Sequence, residues 1–429
     1  MTTSPAESRP QLIDFKGRPR VVVTGVGAVT PLGRTARDFW KGLVDGESGI
    51  GPMTLCDTTD YPTKIAGEIP DFNPRERLDA RDARRMSRFS QIAVTAGLMA
   101  IEDAGLDLES EDPSRLGIVL GNGCGGFPDI ENGGRTVETR GGMRLSPFFF
   151  PMILPNMATS QVSRVLGLKG FTNTVTTSCA AGTQGVGDAL EVIRRGAADV
   201  MVSGGTEAGI SQLGLGGFSV MKALSTSNED PTKASRPFDA KRDGFVPAEG
   251  AGILILEKLE HALDRGANIL CEVTGYGVSS DAFHMVQPDD EGEGAARAMA
   301  WAIEDANLKP DEIDYVNAHG TSTPLNDSVE TRAIKKVFGE AAYKVAISST
   351  KSMIGHALGG AGGMESVACV MTIVDGVMHP TINYEYPDPE CDLDYVPNEA
   401  RRQAVRKVLS NSFGFGGQNA CLVFETYEG

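Results

Sequence analysis

Along the chain, short β-branched or apolar runs alternate with segments whose apolar residues recur every three or four positions. Arg20 to Gly27 reads as a first strand running into a Gly-rich turn. Further strands are expected at Leu116 to Leu120, Thr174 to Thr177, Asp199 to Gly204, Gly250 to Leu256 and Ile269 to Tyr276. Others follow at Ile313 to Ala318, Val345 to Ser348, Arg406 to Ser410 and Cys421 to Thr426. Helices are expected over Thr35 to Leu43, Val186 to Arg194, Gly294 to Ala306 and the long stretch Arg81 to Ala104. The last carries Met86, Phe89, Ile92, Ala93, Ala96 and Met99 on one face. Arg140 to Asn156, with Pro147, Pro151 and Pro155, is expected to be irregular. Alternating strands and helices predict an α/β fold.

The pattern repeats once, weakly. Segment 174–206 runs strand, Ser-Cys turn, small residues, helix, Gly196, strand. Segment 345–382 runs strand, Lys-Ser turn, His356, small residues, helix, Gly376, extended chain. Two similar halves would each bring a helix N-terminus to a shared site.

Composition narrows the class. A chain of 429 residues, 41% hydrophobic and 23% charged, is long enough for two domains with ample core. No apolar run approaches the length of a membrane span, and Met1 to Arg20 lacks the apolar core of a secretory signal. Residues 1–19 read as a flexible leader. Seven cysteines without regular spacing suit reduced thiols and a cytoplasmic location. A formal charge of −17 argues against nucleic acid or anionic membrane as a partner. No CxxC pair or closely spaced histidines suggest a metal, so none is expected.

Chemistry concentrates on four Gly-rich turns. In Thr176-Thr177-Ser178-Cys179-Ala180-Ala181-Gly182 the thiol of Cys179 falls between strand and helix, where free N–H groups and the helix dipole favour a thiolate. In Asn317-Ala318-His319-Gly320-Thr321-Ser322-Thr323-Pro324 a strand delivers His319 into a polar turn, with Asp327 as the cap of a helix starting at Ser328. Ser348 to Gly360 sets Lys351 and His356 around small residues, and Glu365 is placed to pair with the lysine. Asn411-Ser412-Phe413-Gly414-Phe415-Gly416-Gly417-Gln418-Asn419 offers backbone to the sulfur and Phe415 as an apolar gate. By contrast, Gly121-Asn122-Gly123-Cys124-Gly125-Gly126 has the GxGxxG spacing but not its context, since Pro128, Gly133 and Gly134 interrupt the helix a dinucleotide would need. One thiol with two histidines suggests thioester chemistry, the imidazoles donating hydrogen bonds to a carbonyl that gains charge.

With these motifs together, the sequence resembles the β-ketoacyl-acyl-carrier-protein synthases, nearest to the synthase II elongation enzymes of bacterial fatty-acid synthesis. The resemblance runs from about Val21 to Glu425. It implies a thiolase-like duplicated fold in αβαβα layers, with an N-terminal half over 20–269, a C-terminal half over 270–429, and a homodimer. It implies that Cys179 accepts the acyl chain, with its own N–H and that of Phe415 as the oxyanion hole. His319 and His356 would bind the malonyl thioester and promote loss of carbon dioxide, Lys351 would orient them with Glu365 as partner, and Thr321 and Thr323 would hold the phosphopantetheine arm. Cys124 and Phe218 would line the acyl pocket, and Phe415 would move when Cys179 is acylated. No cofactor is implied, because phosphopantetheine arrives on acyl carrier protein. That partner is acidic, and Arg81, Arg84, Arg85, Arg88, Arg144 and Lys222 fall where the family keeps a basic face.

Three positions depart from the family pattern. Cys124 replaces a bulky aliphatic residue, Gln418 a threonine, and Met143 a basic residue. The smaller Cys124 is expected to admit medium or long acyl chains. The alternatives are a ketosynthase of a type II polyketide or specialised lipid pathway, and a non-catalytic chain-length partner subunit. The second lacks the nucleophile that Cys179 supplies here.

Overall fold

The computed structural model describes residues 11–429. Ten strands form one sheet: β1 (Val21–Val29), β2 (Leu116–Gly121), β3 (Thr172–Val175), β4 (Val200–Glu207), β5 (Gly250–Lys258), β6 (Cys271–Ser280), β7 (Tyr315–Asn317), β8 (Ala346–Ser348), β9 (Lys407–Gly414) and β10 (Gln418–Glu425). Their order is β8-β7-β9-β10-β6-β1-β5-β4-β2-β3. Numbered within each half, both runs of five strands have the order 3-2-4-5-1. Each half pairs its first three positions in that order in parallel and the rest antiparallel. The first strands join the halves, Val22 opposite Glu272 and Val23 opposite Cys271. The expected duplication is therefore present in the topology.

The principal helices are α1 (Arg88–Ala104), α2 (Phe127–Arg140), α3 (Ala181–Arg194), α4 (Glu293–Asp305), α5 (Pro324–Phe338) and α6 (Ala361–Asp375). α1 covers β1 and β5 on one outer face, and α4 covers β6 and β10 on the other. α3 and α6 lie between the halves as a shared middle layer and touch each other. They come within backbone contact. A Cβ on Gly182 would fall 2.7 Å from the Gly363 nitrogen, so no larger residue fits between the helices.

Each middle helix is entered the same way. A 3₁₀ turn, Ser178–Ala180 in one half and Leu358–Gly360 in the other, opens on a residue in the left-handed region, Ser178 at φ 52° and Leu358 at φ 44°. Gly359 thus occupies in the second half the position Cys179 holds in the first. Lys351 and His356 lie in an extra segment between β8 and this turn, which refines the weak match read from sequence.

Several local expectations are corrected. Arg81 to Ala104 is two helices, Ala80–Ala83 and Arg88–Ala104, because the chain leaves the helix before the extended Ser87, N-cap of α1. α2 forms across Pro128, Gly133 and Gly134. The proline sits in the first turn, where its missing N–H costs nothing, and Gly133 lets the Phe149 ring lie against the helix. Within Arg140 to Asn156 a short helix, Phe149–Ile153, appears. α5 starts at Pro324 with Thr323 as its cap, not at Ser328, because proline at the first position opens a helix instead of stopping it. Residues 1–10 of the expected leader lie outside the described residues. Residues 11–19 are held to the body instead, since Lys16 and Arg18 pair with Asp305 at 2.8 and 2.9 Å.

Candidate active site

Cys179 sits in the 3₁₀ turn leading into α3, and β9 ends beside it, with Gly414 against the Cys179 backbone. His319 follows β7, and His356 follows the helical turn Lys351–Ile354. The fold brings these three together. The Cys179 sulfur and one ring nitrogen of each histidine lie within 4.8 Å of one another. The two rings stand at 86° with centroids 5.5 Å apart. Relative exposure is 5% for Cys179 and 2% for each histidine, so water is largely excluded.

Burial decides the protonation of all three. The Cys179 thiol is pushed up to about 11 by desolvation, which outweighs the pull of the Lys351 charge and of the Phe415 N–H. Burial thus favours a neutral thiol over the thiolate expected from the helix end, because desolvation of the anion outweighs the Lys351 charge and the Phe415 and Cys179 N–H groups. Desolvation, reinforced by Lys351, holds both histidines well below the usual imidazole range, so both are neutral. His319 Nδ1 and both His356 ring nitrogens have no hydrogen-bond partner among the described residues. The backbone N–H groups of Phe415 and of Cys179 itself face the sulfur, the position expected of an oxyanion hole.

Lys351 is buried and pairs with Glu365, as expected, while its ammonium also donates to the His319 carbonyl oxygen at 2.7 Å. Two carboxylates that sequence reasoning missed complete the support. Glu330 accepts the N–H groups of His319 and Gly320 at 2.8 Å each. Glu207, at the end of β4, accepts from Gly123 at 2.8 Å, Gly359 at 3.2 Å and Cys124 at 3.3 Å, tying the halves together beside the sulfur. Desolvation pushes each up to about 7. Their signal was an acid on an otherwise core-facing stretch, at the end of a buried strand and inside α5. Asp327 serves differently from expectation. It is buried within α5, accepts from the Phe238 N–H at 2.8 Å and faces Arg242 at 3.7 Å.

A cavity of about 370 Å³ leads from the exposed Lys222 and Leu325 to Cys179, His319 and His356, with Thr321, Thr323 and Phe415 on its walls. The hydroxyls of Thr321 and Thr323 lie 2.9 Å apart. Past His356 and Leu358 a narrow apolar crevice is lined by Ile210, Leu215, Phe218 and Phe245. Cys124 packs in the same apolar cluster as Cys179 and Phe218. Phe415 leans on Phe218 with centroids 6.5 Å apart, between cavity and crevice. Gln418 is exposed at the start of β10 and does not line the cavity.

On the surface Arg81, Arg84, Arg85, Arg144 and Lys222 are exposed, and none of them forms an ion pair among the described residues. Arg85 lies over the Phe148 ring at 4.9 Å. Arg88 leaves this set as a correction, because the buried Glu249 holds it at 2.6 Å. No helix among the described residues is long and apolar enough to cross a membrane.

A duplicated sheet around a shared helical layer, with a buried thiol facing two neutral imidazoles at its centre, defines the thiolase-like condensing enzymes. The chain belongs to the β-ketoacyl synthase family: residues 18–262 match the beta-ketoacyl synthase N-terminal domain and residues 270–385 its C-terminal domain. It is 51% identical to the 3-oxoacyl-(acyl-carrier-protein) synthase 2 of Synechocystis sp., over 95% of this chain and 98% of that one. Among solved structures it is similar to the ishigamide ketosynthase/chain length factor, at TM-score 0.90 and 37% identity over 96% of this chain and all of that one. It is also similar to the type II polyketide ketosynthase AntDE in complex with its acyl-carrier protein AntF, at TM-score 0.88 and 35% identity over 96% and 100% of the chains.

Proposed function

We propose that this chain lengthens an acyl chain by two carbons in fatty-acid biosynthesis, condensing it with malonyl-acyl-carrier protein to give 3-oxoacyl-acyl-carrier protein. The observation that carries the reading is the pair of neutral, unpartnered imidazoles facing the Cys179 sulfur in one cavity. Cys179 attacks the acyl thioester, its proton passing through a neighbouring neutral imidazole to the departing thiol of the carrier arm. The N–H groups of Cys179 and Phe415 hold the tetrahedral oxyanion. A malonyl thioester then enters, and N–H groups of His319 and His356 bind its carbonyl oxygen. The carboxylate leaves as carbon dioxide, and the enolate carbon attacks the acyl carbonyl on Cys179, which leaves as thiolate and is reprotonated. Neutral histidines suit this work, because each has a proton to donate and neither holds a charge that would stabilise the malonyl carboxylate.

Acyl carrier protein is the partner in this reading, with Thr321 and Thr323 along its arm and the free arginines and Lys222 as its docking face. The greater identity to a 3-oxoacyl-(acyl-carrier-protein) synthase 2 than to a type II polyketide ketosynthase, 51% against 35%, favours the fatty-acid reading. A second copy of the chain fits the packed helices 127–140, 149–153 and 212–220, which leave Val137, Phe150, Leu213 and Val220 exposed. The test is mass spectrometry after incubation with acyl-acyl-carrier protein, followed by addition of the malonyl form. An acyl adduct on Cys179 and then a 3-oxoacyl product two carbons longer is the expected result. Failure of the wild-type chain to acylate at Cys179 would overturn the reading.

A further inference from the structure

The histidines are too far apart in sequence to suggest a metal, yet the fold assembles a soft-metal donor set from them. One thiol sulfur and two imidazole nitrogens lie within 4.8 Å of one another. All three side chains are more than nine-tenths buried. Three of their ring nitrogens are without partners among the described residues, so none of the existing hydrogen bonds at those atoms must be broken to admit a ligand.

We propose that Cys179, His319 and His356 bind one thiophilic divalent cation, of the zinc or cadmium type, and that the bound ion blocks acylation of Cys179.

The geometry is close to what such an ion requires. Bonds of about 2.3 Å to sulfur and about 2.0 Å to nitrogen, in a tetrahedron, place donor atoms about 3.5 Å apart. The side chains need only close inward by about an ångström from their present separation, a movement that rotation of the rings supplies. The fourth position faces the cavity and is left for water. Surrounding contacts hold the donors in place: Glu330 accepts the successive N–H groups of His319 and Gly320, Lys351 holds the His319 carbonyl, and the His356 N–H donates to the Val246 carbonyl at 2.8 Å. The Lys351 charge opposes a cation, but its buried pairing with Glu365 removes most of that repulsion. On binding, the ion forms one bond to sulfur and two to nitrogen, and the thiol proton leaves to solvent. No electron is transferred. Inhibition follows because the sulfur lone pair that attacks a thioester is then committed to the metal. Metal binding stands independently of the proposed condensation; only the inhibitory consequence rests on it.

Cobalt(II) is the probe, added to the full chain after chelator treatment. The expected result is one cobalt per chain, visible d–d bands of tetrahedral strength, a sulfur-to-cobalt charge-transfer band, and displacement of all three signals by zinc. Cys179→Ser should abolish the charge-transfer band, and His319→Ala and His356→Ala should each weaken binding by about tenfold or more. His284→Ala removes an exposed histidine outside the cavity and should leave binding unchanged. Circular dichroism shows that each variant is folded. A spectrum unaltered by Cys179→Ser, or no cobalt bound at an equimolar or several-fold excess, overturns the metal site. Stoichiometric zinc with undiminished formation of the Cys179 acyl adduct overturns the inhibitory claim. The optical titration contains no carrier protein, so a chain that binds cobalt but never condenses would disprove the proposed function and not this site.

Discussion

Lys351 ties His319 to Glu365: its ammonium donates to the carbonyl oxygen of the histidine at 2.7 Å while pairing with the buried carboxylate. It contacts neither histidine ring through a hydrogen bond, so its influence on the site runs through the position of the His319 backbone and through its charge.

Lys351→Ala should therefore spare acylation of Cys179 and lower condensation by about 100-fold, the scale of losing one charge-stabilising element. It also leaves Glu365 buried without a partner, which costs about 3–5 kcal/mol of stability. The double variant Lys351→Met/Glu365→Gln should regain most of that stability but not the condensation. Mass spectrometry of the acyl adduct, a condensation assay and thermal melting together check this. Equal loss of acylation and condensation in the double variant would contradict it.

The basic face separates into two kinds of arginine. Arg84→Glu with Arg85→Glu should raise KM for acyl carrier protein with little change in Tm, and the effect should shrink as salt is raised. Arg88→Ala should do the reverse, because it abandons the buried Glu249, lowering stability by about 3 kcal/mol at unchanged carrier affinity. Steady-state kinetics at two salt concentrations, paired with melting curves, distinguish them.

Chain length should respond to Cys124, which packs with Phe218 and Cys179. Wild-type enzyme is expected to elongate medium and long primers. Cys124→Phe should restrict it to short ones by filling space beside Phe218, leaving acylation by the shortest primer within about threefold of wild type, since even one methylene in an apolar pocket is worth roughly 10-fold or more in selectivity. A wild-type primer series that stalled at short chains would remove this role for Cys124.

Stability should fall on the alkaline side. His261 donates to Glu257 at 2.7 Å and to Glu111 at 3.0 Å, and the Glu257 bond above all raises it from 6.5 to about 9. A group raised on folding lends its full stability below its unfolded value and loses it as pH climbs through the folded one, here between pH 6.5 and about 9. The shared Glu257 interaction, counted once, makes this about 2–3 kcal/mol. Melting temperature should decline across that window in the wild type, and His261→Gln should flatten the slope while lowering stability at pH 6. Parallel curves for the two proteins would exclude the pair as the cause.

What could be read in the sequence was local. Glycine, serine and histidine at strand ends announced the turns that carry Cys179, His319, Lys351 and Phe415, because turn chemistry depends on neighbouring residues. The α/β alternation and the duplicated halves followed from periodicity and resemblance. What escaped depends on residues far apart in the chain. The neutral state of Cys179 reflects burial by distant segments, whereas the helix end that favours thiolate is adjacent in sequence and visible there. Glu207 and Glu330 looked like ordinary acids until the fold set backbone N–H groups around them. Arg88 read as surface until Glu249, 161 residues away, claimed it. Pro128 and Pro324 each sit in the first turn of a helix, and sequence alone does not fix the starting residue that decides whether a proline breaks a helix or opens it.

The repeated strand order carries a consequence for turnover. Gly359 stands where a second nucleophile would sit by internal symmetry, yet a Cβ there would fall 2.3 Å from the Gly123 nitrogen. With no room for a side chain at Gly359, the reaction proposed above has Cys179 as its single acyl-accepting sulfur in each chain. In that reaction primer and extender take turns at the same opening, the emptied carrier departing before its successor arrives, and kinetics of the ping-pong type are the expected consequence of the duplication.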